Sequence, residues 1–343
     1  MKTKLSFLVT ALLFAYQVKA QNTITVDNSV GANAQYSDLQ SAISAASNGD
    51  IIYVHPSEIN YGIITIDKSL TLVGFGHSDP DSKTFVNDII LAENSSNTKI
   101  SGFYVTDDIY INSSNMLSNI IIENNLIVSY LGFDNGGVNN VIIRGNVINQ
   151  IGNTSSSSTQ NNYTNAIISN NMISNYVGLK NHQSITIKNN IFYTPSSSYP
   201  IYNADSGAGT ITAQNNIIYY NVTSTYNPDA DGVLYENCLT YNFGSGSVAP
   251  LIGSNNLDNQ NPLFVSYDGV TNYSTVNDYN LQAGSPAIGT GVGGIDMGIY
   301  DGSSFTFNNL GYTNGIPTVK ITNITDRIAP GATLSVTINT NAN

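Results

Sequence analysis

The chain has 343 residues, and its 11 Lys and Arg against 23 Asp and Glu give a formal net charge of −12 at pH 7. This acidic balance argues against nucleic acid as a partner, because phosphate backbones are bound through clustered basic residues. With Cys238 as the only cysteine, no disulfide can form within one chain, so the fold must be stabilised by a sizeable hydrophobic core instead.

Residues 1–20 have the pattern of a secretory signal peptide. Two lysines precede the apolar stretch LSFLVTALLFAY, and the tripeptide VKA at positions 18–20 has the small residues expected before a cleavage site. The apolar stretch is too short to cross a bilayer, and no later segment reaches the required length. We therefore expect a secreted protein, either extracellular or periplasmic, that does not insert into a membrane.

The segment YSDLQSAISAASNGD, residues 36–50, predicts a short helix. Ser37 is a suitable N-cap with Gln40 three residues later, and Gly49 can end the helix. The expected apolar face consists of Leu39, Ala42, Ile43 and Ala46. The helix precedes a long run of strand-like repeats, and we expect it to cap the first of them.

A short phrase then recurs along the chain. IIIENNLIV at 120–128 returns as VIIRGNVIN, AIISNNMIS, ITIKNNIFY and ITAQNNIIY, with an apolar residue three before and two after one fixed position. The period averages about 22 residues, which indicates a solenoid whose equal coils carry loops of variable length. The fixed positions are Phe75, Phe103, Asn125, Asn146, Asn171, Asn190, Asn216, Asn237 and Asn255.

The repeats predict β-strands, since they are short, rich in Ile and Val, and alternate with period two. Several such strands in each coil predict an all-β fold, a parallel β-helix in which each strand pairs with its counterpart one coil away. Asn tolerates the left-handed backbone conformation of a tight corner, and stacked Asn side chains can hydrogen-bond from coil to coil. We therefore expect the fixed positions to be structural.

Two parts of the chain resemble a known family. The stretch from Tyr36 to Gly76 is similar to the opening of secreted bacterial right-handed parallel β-helix proteins of the pectate-lyase-like superfamily. NPLFVSYDG, DYNLQAGSPAIGTG and DMGIYDG, between Asn261 and Gly302, resemble their closing segment. The resemblance implies a right-handed parallel β-helix over residues 21–302, capped by the short helix. It does not fix an activity, because the superfamily includes lyases, hydrolases, epimerases and members without known activity.

Residues 303–343 have a different pattern. VKITNITDRIAPGATLSVTINTNAN alternates over two strands around Pro330-Gly331, and it resembles the β-rich tail of many secreted bacterial β-helix proteins. We expect this tail to cap the C-terminal coil. A separate binding module is the alternative, for which the tail is short.

In this superfamily the ligand groove lies along the sheet whose strands begin each coil. Counting back from the repeated Asn positions places those strands near residues 109–111, 131–133, 177–179 and 200–202. A uronate lyase needs a group that neutralises the carboxylate, a base for the proton at C5 and an acid for the leaving oxygen. Polar residues on or beside this face are therefore candidates, although a solvated sheet also carries polar residues without function. The candidates are Lys180 or His182 as base, Tyr202 as acid, Tyr110, Asp134 and Asp205 as substrate contacts, and Asp108 beside them.

The segment NPDADG, residues 227–232, offers oxygen ligands at alternate positions before a glycine, as in the first half of a calcium-binding loop. The candidate ligands are Asn227, Asp229 and Asp231. The bidentate Glu expected at the twelfth position is missing, since Cys238 lies there, so an ordinary acidic turn is the alternative. Calcium is the one cofactor that the sequence raises, and it would also neutralise a uronate.

Two functions remain open at this stage. The first is an exported, monomeric parallel β-helix protein that binds a polysaccharide, with or without lyase-type cleavage by β-elimination; its 22 tyrosines suit stacking on sugar rings. The second is a non-catalytic structural, surface or adhesion protein, in which the stiff rod is itself the function. The scarcity of Lys and Arg favours the second, since a polyanionic glycan would meet an acidic protein unless calcium bridged them.

Overall fold

The predicted all-β parallel β-helix is confirmed. A parallel β-solenoid of about eight turns, with one helix, forms most of the part of the chain that is described. No helix within that part is long and apolar enough to span a membrane. The computed structural model describes residues 21–133, 136–152, 163–193, 195, 199–203, 209–267, 273–302, 305–313, 318–325 and 327–341.

Helix α1 spans Leu39–Ala45. The strands of the solenoid are, in chain order, β1 (Thr23–Val26), β2 (Ile51–Val54), β3 (Ile64–Ile66), β4 (Thr71–Gly74), β5 (Phe85–Val86), β6 (Ile89–Ala92), β7 (Lys99–Ser101), β8 (Tyr104–Val105), β9 (Ile109–Asn112), β10 (Leu117–Glu123), β11 (Leu126–Gly132), β12 (Val138–Arg144), β13 (Val147–Ile151), β14 (Tyr163–Ser169), β15 (Met172–Ile173), β16 (Val177–Leu179), β17 (His182–Lys188), β18 (Ile191–Tyr193), β19 (Ile201–Asn203), β20 (Ile211–Gln214), β21 (Ile217–Tyr220), β22 (Thr225–Tyr226), β23 (Val233–Glu236), β24 (Leu239–Asn242), β25 (Ser247–Val248) and β26 (Gly253–Ser254). They are followed by β27 (Phe264–Ser266), β28 (Asp278–Leu281), β29 (Thr318–Ile324) and β30 (Val336–Asn341).

Two parallel sheets wrap around the core. Eleven strands stack as the first sheet, in the order β1-β2-β4-β7-β10-β12-β14-β17-β20-β23-β26, and thirteen strands form the second sheet. The second sheet contains a row of short strands that follow the corner of each coil. In this row, one outward residue per coil aligns with the next, and we call this line the outer column. The outer column consists of Phe85, Tyr104, Leu126, Val147, Met172, Ile191, Ile217 and Leu239.

At each corner, two consecutive residues perform the two roles that the sequence analysis assigned to one residue, the left-handed turn and the stacking of side chains. The first residue of each corner adopts the left-handed conformation, as Asn124 (φ 55°), Asn170 (φ 55°) and Asn189 (φ 53°) do. The second residue carries the side chain that stacks from coil to coil. In the last two coils, the predicted fixed positions Asn237 and Asn255 are the left-handed residues. The stacked side chains there belong to the next residues, Cys238 and Asn256.

The stacked amides form a ladder of fully buried asparagines. Asn171 is representative: its Nδ2 donates to Ile143 O at 2.9 Å, to Ser169 O at 3.0 Å and to Asn190 Oδ1 at 3.0 Å. Its own Oδ1 accepts the backbone N–H of Asn146 at 3.0 Å. Every polar atom of the amide thus finds a partner, which is the condition for burying it without a large cost in free energy. The ladder runs through Asn125, Asn146, Asn171, Asn190 and Asn216.

Helix α1 lies under the first coils, as predicted, and its apolar residues Leu39, Ala42 and Ile43 are buried. The N-cap is Asp38, not Ser37, because the Asp38 carboxylate accepts the backbone N–H of Ser41 at 2.7 Å. The helix also ends before the predicted terminator Gly49, since its C-cap residue is already extended.

A strap, residues 287–302 and 305–313, runs back along the outside of the solenoid towards its first coils. The left-handed asparagines of the corners hold it: Asn237 Nδ2 donates to Thr290 O at 2.7 Å, and Asn170 Nδ2 donates to Ile299 O at 2.9 Å. Further along, His77 N donates to Leu310 O at 2.9 Å. The same corners that turn the chain therefore also fix the position of the C-terminal segment.

The strap and the residues before it cover part of the outer column. A second hydrophobic core outside the barrel joins the column residues from Val147 to Leu239 with residues of the closing segment. These covering residues are Phe264, Tyr279, Ala287, Met297, Ile299 and Phe307. The closing segment thus buries apolar surface that would otherwise face water.

Strands β29 and β30 pair antiparallel around the turn at Pro330-Gly331, as the sequence predicted for the tail. Residues 305–313 belong to the strap, although the sequence placed them in the tail. The boundary at residue 302 and the capping role of the tail stay predictions.

Cys238 interrupts the asparagine ladder. Its Sγ lies 3.4 Å from Asn216 N and 3.4 Å from Ala213 O, where an amide would sit, and its own N–H donates to Asn256 Oδ1 at 3.0 Å. Burial raises the pKa of the Cys238 thiol to about 12, so the group stays neutral. A thiol is a weaker hydrogen-bonding group than an amide, so this rung is the weakest of the ladder.

We expect Cys238→Asn to stabilise the protein. An amide at this position would donate to the carbonyls of Ala213 and Glu236 and accept from Asn216, as the other rungs do, and the gain should be about 1 kcal/mol. Thermal and urea denaturation measure it. Cys238→Ala is the matched control and should be less stable than wild type; an Asn variant no more stable than the Ala variant would contradict the assigned role.

Candidate functional site

The strands that the sequence placed along a ligand face are neighbours in the second sheet. Tyr110 pairs with Gly132, and Gly178 pairs with Tyr202 one coil apart. Tyr110 and Tyr202 are half-buried; Tyr110 lies between the buried Ile109 and Ile111, and Tyr202 between the buried Ile201 and Asn203. The face therefore presents two tyrosines separated by glycines. Their roles as substrate contact and acid stay predictions.

The two candidate bases, Lys180 and His182, lie outside the strands of this face. His182 begins β17 in the first sheet, where it pairs with Tyr163, and it is only 6% exposed. Its Nε2 lies 3.1 Å from Asn203 Oδ1, so the imidazole is held inside the solenoid. Lys180 is half-buried between β16 and β17. Asp134 and Asp205 lie outside the described residues.

The candidate calcium loop has the hydrogen bonds of a turn. Asn227 Oδ1 accepts the backbone N–H of Asp229 at 3.1 Å, and Asp229 Oδ1 accepts that of Ile252 at 2.8 Å. Burial raises the pKa of Asp229 and the charge of Asp258 adds to the shift, while Asp231 is exposed. Two of the three proposed ligand residues, Asn227 and Asp229, thus already use a side-chain oxygen to accept a hydrogen bond from the backbone. Calcium at this loop stays a prediction.

A different set of carboxylates converges. Asp88, Asp107 and Asp108 bring oxygens within 4.8 Å of one another at the bend that precedes β6 and β9. Asp88 Oδ1 accepts the backbone N–H of Asp108 at 3.0 Å, whereas Asp108 Oδ1 is buried and has no hydrogen-bond partner in the part of the chain that the structure describes. Burial, followed by the charges of Asp107 and Asp88, raises the pKa of Asp108. Oxygen-rich clusters of this kind suit calcium, although acidic groups also cluster without an ion. The sequence analysis named Asp108 alone.

A large groove lies at the N-terminal end of the outer column. It encloses about 900 Å³. Its floor is the start of the column, Phe85, Tyr104 and Leu126, all half-buried. The rest of its lining comes from Ser29, residues 56–58, residues 77–83 and residues 273–275. The groove exists because the closing segment buries the column from Val147 onwards, packs partly against Leu126 and leaves Phe85 and Tyr104 open.

Hydroxyl and charged groups line the walls of this groove. They are Ser29, Ser57, Glu58, Ser78, Asp79, Asp81, Ser82, Lys83, Ser274 and Thr275. Lys83 places its Nζ 4.6 Å from the centre of the Tyr104 ring, a cation–π contact that orients both side chains. An apolar floor between polar walls is the usual build of a small-molecule or sugar site.

The strap fixes one wall. His77 and Ser78 both donate their backbone N–H to Leu310 O, and the Tyr312 hydroxyl donates to the Asp79 carboxylate. The other Asp79 oxygen accepts the N–H of Asp81 at 2.9 Å. Hydrogen bonds to the strap and within the loop therefore hold residues 77–83 in place, so the groove is preformed.

His77 is the one titratable ring in this wall. It is fully buried, and burial lowers its pKa to about 3, so the imidazole is neutral at physiological pH. Its Nδ1 lies 2.6 Å from Ser78 Oγ, and its Nε2 has no hydrogen-bond partner among the described residues. The low pKa makes His77 a poor base but leaves it able to orient the Ser78 hydroxyl.

Sequence reasoning placed the groove on the neighbouring row of the second sheet and missed this one. The signal in the sequence was the residue directly after each fixed position, such as Tyr104 after Phe103 and Leu126 after Asn125. This residue is apolar after Asn125, Asn146, Asn171, Asn190 and Asn216, but the sequence does not say which part of the resulting column is covered.

No protein-family model and no curated protein matches this chain.

We expect Asp108→Asn to stabilise the protein at pH 7 in the presence of a chelator. The pKa of Asp108 is raised in the folded state, so its contribution to stability is full below the unfolded pKa and is lost as the pH rises through the folded pKa. Removing the charge should add on the order of 0.5 kcal/mol, the size typical of partly exposed charges. Thermal denaturation at pH 4 and pH 7 measures the difference.

Asp107→Asn is the matched comparison for this prediction and should give a smaller gain, because Asp107 is exposed and acts on Asp108 only through its charge. A loss of stability in Asp108→Asn at pH 7 with chelator would contradict the expected sign. The same melting curves with calcium test the cluster as an ion site, since a bound ion should raise the Tm of the wild type and not that of Asp108→Asn.

Proposed function

We propose that this chain is an exported parallel β-helix protein that binds a polysaccharide in the groove over Phe85, Tyr104 and Leu126. One observation carries the proposal: the outer column is covered along most of its length but open at its start, where aromatic side chains form a floor between hydroxyl-rich walls. Sugar rings have an apolar face that packs on aromatic rings and hydroxyls that pair with polar side chains.

The preformed shape of the groove supports the same function. Its wall loop is held by backbone hydrogen bonds to Leu310 and by the Tyr312–Asp79 pair, so little conformational entropy is lost when a ligand binds. Its volume of about 900 Å³ lies within the range of sites that take small ligands or a few sugar units.

Export and membership of the pectate-lyase-like superfamily belong to the same proposal. The signal pattern of residues 1–20 supports export. The capping helix, the stacked coils and the closing segment along the solenoid support the superfamily. Neither point depends on the groove.

Cleavage by β-elimination stays a prediction. Of its candidate residues, Tyr202 and Lys180 are half-buried, whereas His182 is inside the solenoid. The proposal therefore concerns binding. The alternative, a rod without a glycan ligand, becomes the better account if no polysaccharide binds.

We expect Tyr104→Ala to weaken polysaccharide binding by about tenfold, equal to about 1.4 kcal/mol, because the floor of the groove loses its central ring. A panel of immobilised polysaccharides first identifies a ligand, and isothermal titration calorimetry with its oligosaccharide then gives the Kd of each variant.

Tyr53→Ala is the matched control, since Tyr53 is a half-buried tyrosine of β2 that lies outside the groove lining. Its Kd should equal that of the wild type. A loss of affinity in Tyr202→Ala, with Tyr104→Ala unaffected, would move the site to the face that the sequence predicted and refute the groove.

A further inference from the structure

The charged groups of the groove are mostly acidic. Glu58, Asp79 and Asp81 line it against one cation, Lys83. Glu58 and Asp81 are exposed at the rim, where they meet an approaching ligand first. The neutral His77 adds no positive charge.

The single ammonium of the described lining is already engaged. Lys83 Nζ lies 4.6 Å from the centre of the Tyr104 ring, so the ring already shares the charge that a ligand carboxylate would need. Among the described residues, the carboxylates that converge as a group of three are Asp88, Asp107 and Asp108, and they do not line the groove, so no preformed three-carboxylate site for a bridging calcium ion lies within it. A uronate or sulfate group would therefore meet like charge.

We propose, building on the function proposed above, that the ligand of the groove is a glycan without uronate or sulfate groups, and that sugar units bearing a protonated amine bind more tightly than uncharged ones. Electrostatic complementarity decides between ligands of similar shape, since like charges placed together cost free energy while opposite charges steer encounter. The net charge of −12 acts in the same direction at long range.

The chemistry of the walls fits this class. Serine hydroxyls, among them Ser57, Ser78 and Ser274, donate and accept and so suit sugar hydroxyls, and the rim carboxylates accept from an ammonium group. Aromatic floor residues bind the apolar faces of either sugar type. Glu58 and Asp81 thus favour amine-bearing over uncharged sugars, and the aromatic floor supplies affinity for both.

The test uses three oligosaccharides of equal length: a β-1,4-linked glucosamine oligomer, its fully N-acetylated counterpart and an oligogalacturonate. The first two share a backbone and differ in charge. Calorimetry on the mature protein at pH 6 should give the tightest Kd for the amine form, a weaker Kd for the acetylated form and no measurable binding of the uronate. Raising the salt concentration should narrow the difference between the first two, because salt screens exposed charges.

Asp81→Asn and Glu58→Gln test the assigned residues. Each should reduce the preference for the amine over the acetylated form by up to about fivefold, the range of one exposed charge pair. Two variants are used so that poor folding of one leaves the other informative, and circular dichroism checks both.

The outcomes separate the two proposals. Uronate binding as tight as that of the acetylated form, weakened by Tyr104→Ala, would overturn the charge selectivity and leave the binding function intact. Binding of none of these glycans or of the polysaccharide panel would overturn the binding function itself, and the selectivity with it. An unchanged amine preference in both folded variants would remove the role given to Glu58 and Asp81.

Discussion

The buried asparagine ladder is the interaction on which the rest of the structure depends. Each rung, such as Asn171, pairs with the coil before it and the coil after it, so the corners of successive coils are locked in register. Because side chains alternate along a strand, that register decides which residues fill the core and which face outwards. The outer column, with its repeated apolar residues, is a direct consequence.

The corners also explain why a groove exists. Of the left-handed residues that precede the rungs, Asn170, Asn189 and Asn237 donate their side-chain amides to carbonyls of the strap. The strap and the closing segment then bury the outer column from Val147 to Leu239 and anchor the wall loop at Leu310. The open part of the column lies beyond this cover. The position of the proposed binding groove is therefore set by the part of the outer column that the strap leaves exposed.

The sequence predicted those parts of the structure that repeat. The period of the Asn phrase and the Ile/Val alternation predicted the strands and their stacking, and the capping pattern and apolar face of residues 36–50 predicted the helix, because each of these signals lies within about one coil of chain. The strap and the groove depend on contacts between distant residues, such as Asn170 with Ile299, 129 positions apart. No local pattern reports such a contact. The sequence analysis also missed that the left-handed turn and the stacking belong to two different residues, because in several coils both corner residues are Asn.

Replacing one rung tests the central claim most directly. Asn171→Ala leaves the carbonyls of Ile143 and Ser169 without their amide donor inside the solenoid. The account predicts a loss of unfolding free energy on the order of 3 kcal/mol in urea denaturation, since several buried groups lose their partners together. Gln183→Ala, an exposed position on the first sheet, should change it by less than about 0.5 kcal/mol. Equal, small losses in both variants would contradict the claim that the amides hold the coils in register.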